Sequence, residues 1–370
     1  RETLPRCVIS GRTQSLSLDE GPVIIGERLN PTGKKRLKQA LREGDMDAVM
    51  REAIAQTDAG AHALDVNVGL PELDEPACLT RVVQAVQSVC DVPLQLDTAD
   101  PRALEAAMRV YIGRPLVNSV CGKQAVMDAV FPLVREYGGA VVALTLDEGG
   151  IPDTVQGRLD IAGRIVQEAA RYGIPSGDLL FDALTLTIAT DPSAAAVTLE
   201  TVRELHRKGL KTILGVSNVS FGLPNRPAMT ASFLSMALAA GLDAAILNPL
   251  DPMVSAAFWA GRALTGADKG VEGYLQAMQS LPPLTAMPAK PAPANVPAAQ
   301  DGPETGDALF RAIRGGLAGD ARLAAKALLD GGSEPLSLIE GSVMPALTEV
   351  GTRYERRELF LPQLLQSANA

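Results

Sequence analysis

Residues 1–280 are predicted to fold as an α/β protein, a closed (β/α)8 TIM barrel, on three observations. Short, nearly all-apolar runs alternate with longer amphipathic stretches about eight times in some 260 residues, the count a barrel needs. The runs lack the in–out alternation of a half-exposed sheet, so they read as parallel strands buried on both faces. Almost every run also ends in polar side chains at its C-terminal tip, the end where barrel enzymes keep their chemistry. A doubly wound open sheet is the competitor, but it would be expected to carry a Gly-rich phosphate turn after an early strand, and none is visible.

In chain order the strands are expected at 23–27, 63–68, 93–97, 115–119, 140–146, 179–184, 212–217 and 244–248. Amphipathic helical stretches between them include 45–59, 159–172, 194–208 and 230–240. The polar tips are Glu27 with Arg28, Asp65 with Asn67, Asp97, Asn118, Asp147 just past its strand, Asp182, Ser217 with Asn218, and Asn248. A barrel gathers all of these at one mouth. Asp and Asn also cap helices that follow strands. Polar tips on so many strands exceed what capping needs, and that favours a site.

Residues 281–304, LPPLTAMPAKPAPANVPAAQDGPE, are rich in Pro and Ala and poor in large apolar side chains. Such a segment cannot bury a core and is expected to be a flexible linker. Beyond it, 305–370 reads as short amphipathic helices at 307–317, 321–329 and 334–354, with one more starting near Leu361. Gly315-Gly316 and Gly331-Gly332 punctuate them, and short connections make this a small helical bundle.

Composition narrows the function. With 46% hydrophobic and 21% charged residues over 370 positions, the chain has the balance of a soluble globular protein. A net charge of −9 offers no basic field to nucleic acid or to an anionic membrane. The most apolar stretch, 234–247, is cut by Gly241 and Asp243, short of the ~20 residues of a membrane span. The N-terminal RETLPRCVISGR has no apolar core like that of a signal peptide, so a cytoplasmic location is expected. Cys7, Cys78, Cys90 and Cys121 stand apart with no C-x-x-C pair, and His62 and His206 are the only histidines. No protein-only metal site is expected from that set, and both histidines read as structural or surface residues. A mouth of Asp and Asn without His, Lys or a nucleophilic Cys is poorly equipped for acyl or phosphoryl transfer. It suits a planar heterocycle rich in hydrogen-bond donors.

The strings GERLNPTG (26–33), ALDVNVG (63–69), LQLDTAD (94–100), LVNSV (116–120), LLFDALTL (179–186), GVSNVSFGLPNR (215–226) and ILNPLD (246–251) follow one another in barrel order. Together, over most of residues 20–265, they resemble the methyltetrahydrofolate-binding domain of cobalamin-dependent methionine synthase. They also resemble its stand-alone relatives, the methyltetrahydrofolate:corrinoid protein methyltransferases. The resemblance implies transfer of the N5 methyl of 5-methyltetrahydrofolate to cob(I)alamin, giving methylcobalamin and tetrahydrofolate as the folate half-reaction of methionine synthesis. It implies that Asp97, Asn118 and Asp182 hold the pterin and that Asn218 hydrogen-bonds N5. Asp65 and Asn67 would shape the pocket floor, Asn248 would join the folate contacts, and Arg226 would either reach the folate tail or brace its loop.

The chemistry agrees with those types. A carboxylate can accept the adjacent N3–H and 2-amino groups of a pterin together, and Asn can both donate and accept at the remaining edge. A methyl on a neutral tertiary amine leaves badly, because the nitrogen would depart as an anion; a hydrogen bond or proton at N5 removes that penalty. Asn218 is not acidic, so the proton is expected from solvent or through a water held near Asp97, which gives Asp97 a catalytic part as well.

The string GTRYERRELFLPQLLQSANA resembles the end of the helical cap over cobalamin in methionine synthase, which implies corrin contacts at Phe360, Leu361 and Leu364. That family continues into a corrinoid-binding domain with an Asp-x-His-x-x-Gly motif, and it has a zinc-dependent homocysteine-binding domain upstream. Neither motif occurs here, so a piece of a larger protein is expected, with those two domains as partners. Two rivals stand beside this reading. Dihydropteroate synthase carries a basic residue in the seventh-strand motif, where this chain has Ser217-Asn218-Val219. The other is a folate- or corrinoid-binding module without turnover of its own.

Overall fold

The structure, a computed structural model, describes residues 7–282, 307–314, 318–355, and positions 364, 367 and 368. The chain divides into two compact units, Arg1–Leu284 and Thr285–Ala370.

The first unit opens with a hairpin, β1 (Val8–Ser10) and β2 (Ser15–Ser17), which the sequence analysis does not anticipate. Eight parallel strands then close a barrel: β3 (Val23–Leu29), β4 (Ala63–Val66), β5 (Leu94–Asp97), β6 (Leu116–Cys121), β7 (Ala140–Leu144), β8 (Leu179–Asp182), β9 (Lys211–Gly215) and β10 (Ala244–Leu247). They pair in chain order, and β10 returns to β3. The helices around them are α1 (Lys35–Glu43), α2 (Met46–Asp58), α3 (Glu75–Val89), α4 (Pro101–Val110), α5 (Gln124–Tyr137), α6 (Val155–Arg171), α7 (Ala194–Arg207), α8 (Arg226–Ala240), α9 (Pro252–Leu264) and α10 (Glu272–Ser280).

Each strand has two buried faces, as its apolar composition requires. Side chains at one parity, among them Ile24, Leu64, Leu94, Leu96, Phe181 and Leu214, pack under the helices. Those at the other parity, Val23, Ile25, Ala63, Leu116, Ala140, Val142, Leu180, Ile213 and Ala244, fill the N-terminal half of the barrel. Cys7, Ile9 and Leu18 of the hairpin join that inner cluster, so the hairpin stoppers the N-terminal end. Arg114 ties it down by donating to Val8 O at 2.6 Å and Gly139 O at 3.0 Å, and Tyr111 Oη donates to Ser10 O at 2.9 Å. Strands of three residues, VIS and SLS, are too short to announce themselves by periodicity. Ile9 is fully buried in the stopper, so Ile9→Ala should lower the unfolding free energy in urea by about 2–5 kcal/mol. A loss under about 1 kcal/mol would mean the hairpin is not packed as described.

Among the described residues of the second unit, α11 (Asp307–Arg314), α12 (Ala318–Asp330), α13 (Pro335–Leu338) and α14 (Met344–Glu355) surround a small core of Leu309, Ala312, Ile313, Ala321 and Ala346. The helix expected over 334–354 is interrupted by a π turn at Ile339–Val343, with Gly341, a weak helix former, inside it. Most of the expected linker, and the expected cap residues Phe360 and Leu361, lie outside the described residues; Leu364 is half-buried in a helical turn. No described helix is long and apolar enough to cross a membrane.

Candidate active site at the barrel mouth

Parity decides which tip residues share the mouth. Two residues beyond the inward-facing Ile25, Ala63, Leu116 and Leu180 come Glu27, Asp65, Asn118 and Asp182, and Gln95 is followed at the same interval by Asp97. The lower interior is therefore hydrocarbon and the upper layer is carboxyl and amide. Arg28 has the opposite parity; it pairs with Glu52, and its backbone N–H donates to Gln56 Oε1 at 2.9 Å. Helix caps come from other residues. Asp74, Asp100, Thr154 and Asp251 accept the first-turn N–H groups of α3, α4, α6 and α9. That leaves Asp65, Asp97 and Asp182 free of capping duty, which answers the capping alternative for them.

The strand register sets these groups side by side. Asp65 lies level with Gln95, and Asp97 with Asn118. Gln95 Nε2 donates to Asp65 Oδ1 at 2.6 Å; its own Oε1 is buried without a partner among the described residues. Asn67 Nδ2 donates to Asp97 Oδ2 at 3.0 Å, while Asn67 Oδ1 accepts from Gly69 N at 2.9 Å. The Leu184 N–H donates to Asp182 Oδ1 at 2.7 Å. The peptide between Asn118 and Ser119 is cis.

Burial sets the protonation of this layer. It pushes Asp97 up to about 6, with Asn67 pulling down and Glu75 pushing up. It pushes Asp182 up to about 6 as well, against the Leu184 N–H and the charge of Arg158. Asp65, buried and beside the Asp97 charge, is raised well above the usual carboxylate range. Glu27 is raised by burial, although the Ser217 hydroxyl donates to its Oε2 at 2.9 Å. A cluster of four carboxyls held in such surroundings is a costly arrangement for stability and is characteristic of sites that bind or transfer protons.

Ser217 and Asn218 ride a 3-10 turn, Val216–Ser220, directly after β9, and Asn218 is exposed there. Arg226 braces this turn. Its Nε donates to Ser220 Oγ at 3.2 Å, its Nη2 donates to Ser217 O at 3.0 Å, and its guanidinium lies 5.6 Å from the Phe221 ring centre. Of the two roles open to Arg226 in the sequence, the bracing one has its contacts here. Asn248 turns its Oδ1 to the Leu250 N–H at 3.1 Å. Glu27, Ser217, Arg226, Thr230, Asn248 and Asp251 line a cavity of about 190 Å³.

Two expectations need correction. Asp147 is engaged elsewhere, with Oδ1 on the Gly149 N–H and Oδ2 paired with Arg164 at 2.7 Å. The mouth also has a lysine at its edge: Lys34 Nζ donates to Glu27 O and Asn30 O, both at 3.1 Å. It comes from the loop past the first tip, so a reading of tips alone overlooks it. The site further contains Gln95, which the sequence reading omits, and Glu27 and Ser217, read there only as strand tips, join it through their mutual hydrogen bond. The signal for Gln95 was present, as a polar residue inside the run LQLD at the parity of Asp97. His62 is half-buried and structural: its Nδ1 accepts from Ile24 N at 3.0 Å, and burial drives its pKa down to about 4.

Comparison with known proteins bears directly on this mouth. The pterin binding enzyme family matches residues 26–248, and the B12 binding domain family matches 306–370. The methylcorrinoid:tetrahydrofolate methyltransferase of Eubacterium limosum is 31% identical over 262 residues, covering 70% of this chain and 96% of that protein. The methionine synthase of Mycobacterium tuberculosis is 34% identical over 244 residues, 62% of this chain, and that of Mycobacterium leprae 33% over 240; the chain spans 20% of the length of each. Among solved structures, a Yersinia pestis dihydropteroate synthase with a pterine-sulfa conjugate superposes with a TM-score of 0.56 at 18% identity, over 70% of this chain and 99% of that one. The Vibrio fischeri 7,8-dihydropteroate synthase gives 0.55 at 16%, over 70% and 98%. At such identities the likeness is one of fold. Since the family match runs from the first strand tip to the last, the chain belongs to the pterin-binding enzymes, alongside the methylcorrinoid:tetrahydrofolate methyltransferase of Eubacterium limosum.

Proposed function

We propose that this chain is a methyltransferase that moves the N5 methyl group of 5-methyltetrahydrofolate to the cobalt of a corrinoid. The observation that carries the reading is the inward set Asp97, Asn118 and Asp182. Among the described hydrogen bonds each Asp has one carboxyl oxygen engaged, and the other is available to a ligand. A pterin edge presents adjacent N–H donors that such a carboxylate accepts, and Asn118 can serve a ring nitrogen or carbonyl. Asp65 and Gln95 form the polar floor beneath. Asn218, at the exposed lip, donates its amide to N5 as the methyl departs, and Arg226 keeps that turn in place. The proton that N5 needs comes from solvent or through a water held near Asp97, a carboxyl that burial pushes up to about 6.

Cobalamin, when bound, supplies the nucleophile; every other contribution comes from the chain's own residues. The second unit fits such a group in kind, since its described helices expose Leu336, Ile339 and Met344, apolar side chains suited to a corrin face. On this reading the organisation is a folate barrel over 1–280, a linker over 281–304 and a cobalamin cap over 305–370, with Leu364 and the undescribed Phe360 and Leu361 in the cap. A place in methionine synthesis, with corrinoid-binding and homocysteine-binding domains as partners, rests on the mycobacterial methionine synthases.

The test is anaerobic. The chain is mixed with exogenous cob(I)alamin and methyltetrahydrofolate, and the cob(I)alamin absorbance is followed. Folate-dependent loss of that absorbance supports the reading. Absence of folate binding by calorimetry overturns it.

The carboxyls also set a pH dependence with a definite sign. In the free protein Asp97 and Asp182 hold protons that the unfolded chain gives up near pH 4, so their contribution to stability falls as pH rises from about 4 to about 6. Pterin binding runs the other way, because its N–H donors need the ionised carboxylate. Affinity for methyltetrahydrofolate should therefore drop as pH is lowered through about 6 while the fold persists, measured by calorimetry with circular dichroism in parallel. Affinity that stays flat from pH 7.5 to 5, values on either side of the titration, would contradict the assignment.

A further inference from the structure

We propose that Arg158, in the first turn of α6, is a positioning residue that fixes the β8 tip so that Asp182 meets the pterin; the assignment rests on the functional reading above. Arg158 is 2% exposed, the largest fully buried side chain among the described residues. It has no carboxylate at hydrogen-bond distance among the described contacts. It spends its donors on carbonyl and hydroxyl oxygens instead: Nε on Pro152 O at 2.9 Å, and Nη1 on Ala183 O at 2.6 Å, Thr198 Oγ1 at 3.2 Å and Leu184 O at 3.5 Å. A buried guanidinium costs a great deal unless its donors are satisfied. Two of those four acceptors are the carbonyls of the two residues that follow Asp182.

Those two residues need holding. Leu184 has φ +63°, in the left-handed region that a leucine adopts at a cost. At the same residue the Leu184 N–H donates to Asp182 Oδ1 at 2.7 Å, which leaves the other carboxyl oxygen open. Thr198 Oγ1 supports the same carbonyl, Leu184 O, at 3.1 Å. On the other side Thr145 grips Asp182 O through its backbone N–H at 3.1 Å and its hydroxyl at 3.0 Å. Asp182 is clamped from both flanks, and Arg158 is the clamp on the loop side. Its fork reaches several acceptors at once, which a lysine ammonium on a single stem cannot do. Its positive charge also opposes the effect of burial on Asp182, while Asp153 and Asp191 are the other acidic groups that face Arg158.

The experiment compares wild type, Arg158→Lys and Arg158→Met by thermal melting and by calorimetric titration with methyltetrahydrofolate from pH 5 to 8, a span that covers the carboxylate titration. Arg158→Met, if folded, should lose roughly tenfold to a hundredfold in affinity at pH 7.5, with its pH midpoint moved above that of wild type. Arg158→Lys keeps the charge and loses the fork; it should hold the wild-type midpoint and still bind about tenfold more weakly. Should the Met variant fail to fold, the Lys variant decides alone. A lowered melting temperature with wild-type affinity and midpoint in the folded variants overturns the assignment and leaves Arg158 as core packing. A wild-type chain that binds no folate overturns the functional reading, and the assignment falls with it.

Discussion

Asp182→Ala is expected to weaken methyltetrahydrofolate binding by about a hundredfold, with little change in the melting temperature. A charged carboxylate that accepts two adjacent N–H groups in a water-poor site is worth about 3 kcal/mol, and a factor of ten corresponds to about 1.4 kcal/mol. The fold should tolerate the change, because burial already disfavours the charge and pushes this carboxyl up to about 6. On the proposed function the group serves its ligand more than the barrel. Asp182→Asn serves as the control for shape: it keeps the acceptor toward the Leu184 N–H and removes the charge. Calorimetry at pH 7.5 measures both variants. Retention of wild-type affinity in the Ala variant would remove Asp182 from the pterin site.

Asn218→Ala should separate binding from turnover. Folate affinity should change by no more than about threefold, while methyl transfer to exogenous cob(I)alamin falls by about 10²–10³, the cost of losing one donor aimed at charge that develops in the transition state. The exposed setting of Asn218 means that its removal leaves no cavity, so the melting temperature should hold. Single-turnover traces with saturating folate report the transfer step directly. An unchanged rate would place the stabilisation of N5 on another group, and Glu27, half-buried and hydrogen-bonded to the adjacent Ser217, would be next to test.

Much of this architecture is legible in the residues because the two relevant periodicities are strict. A strand that is apolar at both parities, such as LLFD, has to be covered on both faces, and the residue that breaks the run marks the tip. The strand ends at Asp97 and near Asp65, Asn118 and Asp182 were therefore visible, and parity then put them on one side. What stayed hidden depends on three-dimensional partners. The hairpin at Val8 to Ser17 has no pattern of its own and is defined by the barrel end it fills. Arg158 looks like an ordinary polar position in an amphipathic helix, and only the fold shows that the β8 loop wraps over it. Arg226 could be weighed between two roles from the sequence, but its hydrogen bonds to Ser217 and Ser220 require the turn to be seen. Lys34 was missed because it lies in a loop whose path no periodicity fixes.

The hairpin that stoppers the barrel has a kinetic consequence. With its floor filled by Ile9 and Leu18, the barrel formed by the described residues has its doorway for ligands at the strand tips. If the methyl acceptor docks at that same doorway, it closes the way in and the way out. Folate must then enter an uncovered barrel, and the demethylated product must wait until the acceptor withdraws. Turnover becomes a compulsory queue, in which acceptor that arrives early blocks the substrate it is meant to serve.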